Sequence, residues 1–280
     1  MMDYKTIEEG VRGKAAFATG GTMGIGKACV EAFCAAGINT VTVGRSAEKG
    51  KALEKEINSW GRGKCTFLEC DVTDFDRLRT CIDLTVEEHG KLDILLNCAG
   101  YFPLQVPIDK TSLEDYKAVL ECNLVAYFVT MKHALPYIRT QKGSIVNVGS
   151  VLGTTGDEGS VAYCSTKGAI HTMTRAMAID EARNGVRVNE LKPGHICTEM
   201  FELTTARQDD PDGFVKYSDG LQWMERGGTA QECAYAALFL VSDWASFITG
   251  IDLHVTGGFE IGEGPKLPNP YLAWGPMEKK

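Results

Sequence analysis

The sequence predicts one doubly wound α/β domain, a seven-stranded parallel sheet flanked by helices, on three observations. Short apolar runs of strand length alternate with amphipathic helical stretches through most of the chain. The first such run passes through a glycine-rich turn straight into a helix, GGTMGIGKACVEAF. The 280 residues, 44% hydrophobic and 24% charged, suit one large core better than two small ones. Strand and helix alternating in this way require crossover connections, hence a parallel sheet covered on both faces.

The elements follow in order. Lys14–Thr19 is a buried strand ending in glycine, and KACVEAFCAAG is a helix stopped by Gly37. Between them Gly20, Gly24 and Gly26 let the backbone turn tightly and approach a pyrophosphate, which the helix N-terminus favours. NTVTV is the second strand and ends in Gly44-Arg45-Ser46. In a Rossmann-type sheet a carboxylate at this strand end would hold the ribose 2′-hydroxyl of NAD. The acid is absent here, and Arg45 presents a planar fork suited to a 2′-phosphate. NADP is therefore favoured, with NAD held by other contacts as the alternative.

AEKGKALEKEINSW is a polar-faced helix and KCTFLEC a third strand, closed by Asp71-Val72-Thr73. Asp71 is placed to meet an adenine amino group if the coenzyme lies across the strand ends. FDRLRTCIDLTVEEHG is a helix, and LDILLN a fourth strand ending in Asn97-Cys98-Ala99-Gly100. A long helix is expected from about Ser112 to Arg139, with the polar Asn123 inside its apolar centre. A buried asparagine must be hydrogen-bonded, so a water site or a local backbone bond is expected there.

Ser144–Val148 is the fifth strand, followed by Ser150. Tyr163 and Lys167 stand four residues apart in a strongly helical stretch, hence on one face about 5–6 Å apart at Cβ. An ammonium beside a phenol stabilises phenolate, which is what a tyrosine acid or base needs near neutral pH. Gly185–Leu191 is the sixth strand, broken by Pro193-Gly194. From His195 to about 225 the pattern is irregular, as in a lid or binding loop. TAQECAYAALFLVSD is the last large helix and IDLHVTGG the seventh strand. The domain is expected to span 1–264, and 265–280 to be an extended tail that packs through Tyr271 and Trp274.

Composition excludes several classes. The net charge of −8, without a polybasic block, argues against nucleic acid and anionic membranes as partners. The charged start MMDYKTIEEGVRGK gives no expectation of a secretory leader, and no apolar run approaches the roughly 20 residues that span a bilayer. Ten scattered cysteines, without CxxC or metal-finger spacing, suit small buried hydrophobes in the cytoplasm and no metal site. Cys164 beside Tyr163 raises redox control, but packing off the catalytic face is the simpler expectation.

TGGTMGIG, NCAG, Asn123, and Ser150 with Tyr163-x-x-x-Lys167 occur in one order. Together they resemble the short-chain dehydrogenase/reductase family from Lys14 to about Gly264. Within it, MTRAMAIDEARNGVRVNELKPGHICTEMFEL and FITGIDLHVTGGFEIGEG look most like the 17β-hydroxysteroid dehydrogenase type 14 group. The resemblance implies hydride transfer between NAD(P) and a secondary alcohol or ketone, on a steroid or a sugar such as L-fucose, in a homotetramer. It implies Tyr163 as acid or base, Lys167 as its support and ribose ligand, and Ser150 as donor to the reacting oxygen. Asn123 would hold a relay water. Coenzyme contacts would come from Gly20, Thr22, Met23, Gly24, Ile25, Gly26, Arg45, Ser46, Asp71, Val72, Asn97, Ala99, Gly100, Tyr163, Lys167, Pro193, Gly194, Ile196 and Thr198. Tyr101, Asp157 and Cys197 would line the substrate pocket, where steroid-active relatives are expected to carry His, Gln and Trp. A non-catalytic NADP sensor or scaffold keeping the fold would predict a broken Ser-Tyr-Lys set, and here the set is intact.

Overall fold

The computed structural model describes residues 6–262. The expected tail with Tyr271 and Trp274 lies outside the described residues. Among the described residues nine strands are formed: β1 Ala15–Thr19, β2 Asn39–Gly44, β3 Cys65–Glu69, β4 Ile94–Asn97, β5 Ser144–Val148, β6 Arg187–Pro193, β7 Ile196–Cys197, β8 Gly228–Thr229 and β9 Asp252–Val255. Seven make one parallel sheet in the order β3-β2-β1-β4-β5-β6-β9, and β7 pairs with β8 apart from it. The order reverses between β1 and β4, and at such a switch point the strand ends open a crevice for a ligand. Thr19, Gly44, Asn97, Val148 and Pro193 all end their strands on that edge.

The helices are α1 Ile7–Val11, α2 Gly24–Ala35, α3 Ala47–Asn58, α4 Phe75–His89, α5 Leu113–Leu120, α6 Ala126–Gln141, α7 Leu152–Thr155, α8 Val161–Glu181, α9 Glu199–Thr205, α10 Pro211–Gly220 and α11 Ala230–Val241. Period-two alternation of the strands divides the interior into two cores. Leu96, Val146 and Leu191 face Phe33 of α2 and Leu240 of α11. Leu95, Ile145 and Val188 face Ile82 of α4, Met131 of α6 and Ile170 of α8.

A polar seam crosses the second face. Thr130 donates to Asn97 Oδ1 at 2.6 Å, Asn97 Nδ2 to Asn147 Oδ1 at 2.9 Å, and Asn147 Nδ2 to Thr174 at 3.0 Å. All four residues are buried.

Two expectations are corrected. The helix expected over 112–139 is α5 and α6 joined by a π turn, Glu121–Val125, which holds Asn123. The segment expected to be irregular after His195 contains β7, α9 and α10. Asp210 caps α10, accepting from Gly213 N at 3.0 Å, and Pro211 takes the first turn, where a missing N–H costs nothing. The short α1 was not anticipated, although Thr6 and Glu9 form its capping box.

Candidate active site

The glycine turn between β1 and α2 is built for close backbone approach. Gly20 has φ +71°, and a Cβ there would lie 2.8 Å from Ala99 Cα. A Cβ on Gly26 would lie 2.2 Å from the Gly20 carbonyl oxygen. Thr19 Oγ1 secures the facing loop by accepting from Cys98 N and Ala99 N at 3.0 and 3.1 Å. Met23 caps α2 without a side-chain hydrogen bond, and Gly24 N donates to Glu199 Oε2 at 3.0 Å. A carboxylate from α9 thus takes the place that favours an anion at a helix N-terminus. The helix N-terminus already holding a carboxylate, the positive φ and the bare glycine surface fit a dinucleotide pyrophosphate.

At the end of β2, a Cβ on Gly44 would meet Thr22 at 2.9 Å. Thr22 therefore crowds the place an NAD-selective acid would need. Arg45 is exposed beside it. Across the strand ends Asp71 Oδ1 accepts from Thr73 N and Oγ1 at 2.9 and 2.8 Å. Burial would raise this carboxyl, but the Thr73 donors and Arg45 prevail and hold it below its usual value.

Ser150, Tyr163 and Lys167 converge at the end of β5. Ser150 is buried, its hydroxyl accepts from Leu152 N at 3.2 Å, and it stands near enough to the Tyr163 phenol to favour phenolate. Lys167 is 4% exposed; its Nζ donates to Val148 O at 2.8 Å and stands 5.6 Å from the Tyr163 and Tyr127 ring centres. The same carbonyl accepts Tyr127 OH at 3.1 Å. Burial pushes the Tyr163 phenol up to about 12, with the nearby Ser150 hydroxyl opposing it. Against the expectation of a lowered phenol, desolvation prevails in the chain alone. Burial likewise pulls Lys167 down to about 8, against the pull of Cys98, Glu190 and Cys122.

Asn123, fully buried in the π turn, clamps the backbone of Tyr101: Oδ1 accepts from Tyr101 N and Nδ2 donates to Tyr101 O, each at 3.0 Å. Of the two expected uses, water or backbone bond, the side chain makes the backbone bond. It fixes the loop after β4 beside Lys167, since a Cβ on Gly100 would lie 3.1 Å from Asn123 Oδ1 and 3.9 Å from Lys167 Nζ. π turns recur at functional sites because the extra residue shifts side chains out of helical register. Phe102 packs edge-on to Tyr163 at 4.7 Å between ring centres. Asp157 is exposed near the start of α8, and its Oδ2 accepts from Gln105 Nε2 at 2.8 Å and Ser160 Oγ at 2.9 Å.

The family model described as Enoyl-(Acyl carrier protein) reductase matches residues 20–260. The chain belongs to the short-chain dehydrogenase/reductase family. It is similar to the L-fucose dehydrogenase of Mus musculus, 40% identical over 261 residues that cover 93% of each chain. Glucose 1-dehydrogenase 2 of Bacillus subtilis is 33% identical over 251 residues, 89% of this chain and 95% of that one. The solved structure of Thermoplasma acidophilum aldohexose dehydrogenase in ligand-free form superposes with a TM-score of 0.81 at 30% identity, covering 91% of this chain and 98% of that one. Membership brings NAD(P)-dependent hydride exchange at an alcohol or carbonyl carbon.

Several coenzyme contacts expected of a short-chain dehydrogenase need refinement. The Asn97 side chain is committed to the polar seam, so only its backbone faces the crevice edge. Ser46 caps α3, accepting from Lys49 N at 3.3 Å. Val72 and Ile196 are buried among apolar neighbours. Pro193 ends β6, and Gly194 packs on Thr256, where a Cβ would come within 2.9 Å. Thr198 is the N-cap of α9, and a Cβ on Gly24 would lie 3.5 Å from its methyl group; Ile25 is in the first turn of α2. Tyr101 and Cys197 are exposed. Cys164 is half-buried and burial raises its thiol, which suits packing. Tyr127, Phe102 and Glu199 were missed. The first two lie near Asn123 and the NCAG turn in sequence, but only the folded chain turns them inward. Among the described residues no metal-holding group occurs, and no helix is long and apolar enough to cross a membrane.

Proposed function

We propose that this chain is an NADP-preferring sugar dehydrogenase that oxidises a CH–OH group of a small polyhydroxylated substrate such as L-fucose. The observation that carries the chemistry is the convergence of Ser150, Tyr163 and Lys167 beside the glycine turn. The sugar is supported by the relatives, named as L-fucose and glucose dehydrogenases, and puts a steroid second. It is supported also by Asp157, Gln105 and Ser160, a polar wall able to exchange hydrogen bonds with several hydroxyls.

Bound coenzyme supplies the hydride acceptor at its nicotinamide ring. Gly20, Gly24 and Gly26 would hold the pyrophosphate, displacing the Glu199 carboxylate from Gly24 N. Tyr163 takes the hydroxyl proton, Ser150 donates to the oxygen as charge develops, and Lys167 stabilises phenolate and holds ribose hydroxyls. Asn123 acts by fixing Tyr101 and Gly100 at the wall.

The preference for NADP rests on Gly44, Thr22 and Arg45. Arg45→Ala is expected to raise the KM for NADP about tenfold, within the worth of a hydrogen bond to a charged group. The KM for NAD should stay within about twofold, and equal effects on both would refute a 2′-phosphate role. Homotetramer formation is proposed too, supported by exposed Phe128 beside an apolar groove between the π turn and α8, and by exposed Phe247. A cytoplasmic location is supported by ten free cysteines. A panel of aldoses, steroids and simple secondary alcohols, run with both coenzymes, tests the assignment. The highest kcat/KM is expected on an aldose with NADP, and a steroid optimum would overturn it.

A further inference from the structure

The charge along α8 exceeds what the reaction needs. His171 follows Lys167 by four residues on the same face, and Arg175 follows by four more. Beneath them lie Glu190 and Lys192 of β6, 1% and 0% exposed, and Asp252 and His254 of β9. Two such charges taken out of water each cost several kcal/mol, which pairing only offsets.

The contacts form a chain. His171 Nδ1 lies 2.9 Å from Glu190 Oε2 and 3.2 Å from Lys192 Nζ. That nitrogen donates to Glu190 when protonated and accepts from Lys192 when not, so the two contacts alternate with the tautomer. Lys192 Nζ donates to Asp252 Oδ2 at 3.0 Å and stands 3.7 Å from Glu190. Asp252 also receives Arg175 at 3.0 Å and His254 Nε2 at 3.2 Å, and His254 Nδ1 lies 2.8 Å from Glu260.

At the inner end, Glu190 Oε1 is buried and has no hydrogen-bond partner among the described residues. It rests on Gly149, where a Cβ would come within 1.7 Å of it. Gly149 lies between Ser150 and Val148, and the Val148 carbonyl holds the Lys167 ammonium. A bare glycine therefore admits an unpaired carboxylate oxygen to the catalytic end of β5.

We propose that Glu190 is a positioning residue for Lys167: its buried carboxylate, set by His171 and Lys192, is the counter-charge that keeps the Lys167 ammonium charged beside Tyr163. This rests on the assignment of Tyr163 and Lys167 as the reacting pair. The groups facing Glu190 are Tyr127 from α6, Lys167 and His171 from α8, Lys192 on its own strand, and Asp252 from β9, with Arg175 and His254 beyond. The other anion-forming neighbours of Lys167 cannot serve near neutral pH. Burial pushes the Cys98 thiol up to about 11 and raises Cys122 and Tyr127, so all three stay neutral. Burial raises Glu190 as well, but His171 and Lys192 oppose it, and a carboxyl starts from a far lower value.

The sign follows. Removing the negative charge lowers the Lys167 pKa, so deprotonation and the loss of activity it brings move to lower pH. The test compares Glu190→Gln, which removes the charge, with Glu190→Asp, which keeps it. The pH profile of kcat is recorded together with the 15Nζ NMR titration of Lys167 in the coenzyme-free chain, assigned with Lys167→Arg. In Glu190→Gln both midpoints should fall by about one pH unit, the size expected of one nearby charge. In Glu190→Asp they should lie much closer to the parent protein. Unmoved midpoints, equal shifts in both variants, or the same fractional loss of kcat at every pH would overturn the proposal. The NMR arm needs no turnover, so an inactive parent protein would defeat the functional assignment while the titration still decides this one. Should Glu190→Gln fail to fold, Glu190→Ser removes the same charge with a smaller side chain, and an unmoved midpoint there also overturns it.

Discussion

Tyr163→Phe is expected to lower kcat at least about a thousandfold while coenzyme binding survives. General acid–base catalysis contributes about 10²–10⁴ in rate, and a phenylalanine ring has no group to take the proton. The change removes one oxygen and leaves the edge-on contact with Phe102 and the Lys167 cation over the ring. The phenol starts at about 12 in the chain alone. Bringing it to near 7–8 takes roughly 5–7 kcal/mol at 1.36 kcal/mol per unit. Ser150 is already counted in that value, so Lys167 and the positive nicotinamide of the oxidised coenzyme are the remaining sources. A folded-state pKa this high keeps the proton on the phenol over the working range. Alcohol oxidation should therefore gain with rising pH until Lys167 loses its own proton, whereas carbonyl reduction should be favoured at lower pH. Turnover measured beside coenzyme titration decides the matter, and near-normal turnover in the variant would sink the assignment.

Gly26→Ala is expected to weaken binding of NAD and NADP alike by at least about a hundredfold and to lower the unfolding temperature by several degrees. The added carbon would lie 2.2 Å from the Gly20 carbonyl oxygen and 2.8 Å from its carbon. Both are backbone atoms of the turn itself, so the clash is relieved only by moving the turn that cradles the pyrophosphate. Overpacking of this kind costs about 1–3 kcal/mol in stability. Gly24→Ala is the internal comparison. Its nearest neighbour would be 3.5 Å away, and the penalty is backbone strain at φ +53°, of order 1–3 kcal/mol. Equal coenzyme affinities in the parent protein and Gly26→Ala, measured by calorimetry, would show that close approach at this glycine is dispensable.

The sheet was legible because its strands are short apolar runs bounded by glycine and polar turns, and each formed within a few residues of expectation. The glycine turn and the Tyr163–Lys167 face were legible because both depend on local spacing. The lid was not. ARQDDPDG reads as a break, yet Asp210 and Pro211 there start a helix, a signal overlooked beside the turn formers around it. The π turn has no sequence mark, since an i→i+5 bond depends on what Asn123 finds across the chain at Tyr101. Asn97 was drawn to the coenzyme by its motif. By period two it shares a face with Leu95, and counting would have turned it inward. His171 stood four residues beyond Lys167 in plain view, but its meaning needs Glu190, nineteen positions away and brought beneath it by the β6 pairing.

The buried amides that join β4 and β5 act as a key for strand alignment. Sliding β5 by one residue against its neighbours would turn Asn147 toward the oily side of α2 and α11 and leave Asn97 and Thr174 without it. Apolar side chains tolerate such a slip because grease fits grease, but an amide stranded in hydrocarbon costs about 1–3 kcal/mol. Misaligned sheets are thereby rejected while the chain is still choosing among them. Ser150, two residues past the end of β5, inherits its position from that choice.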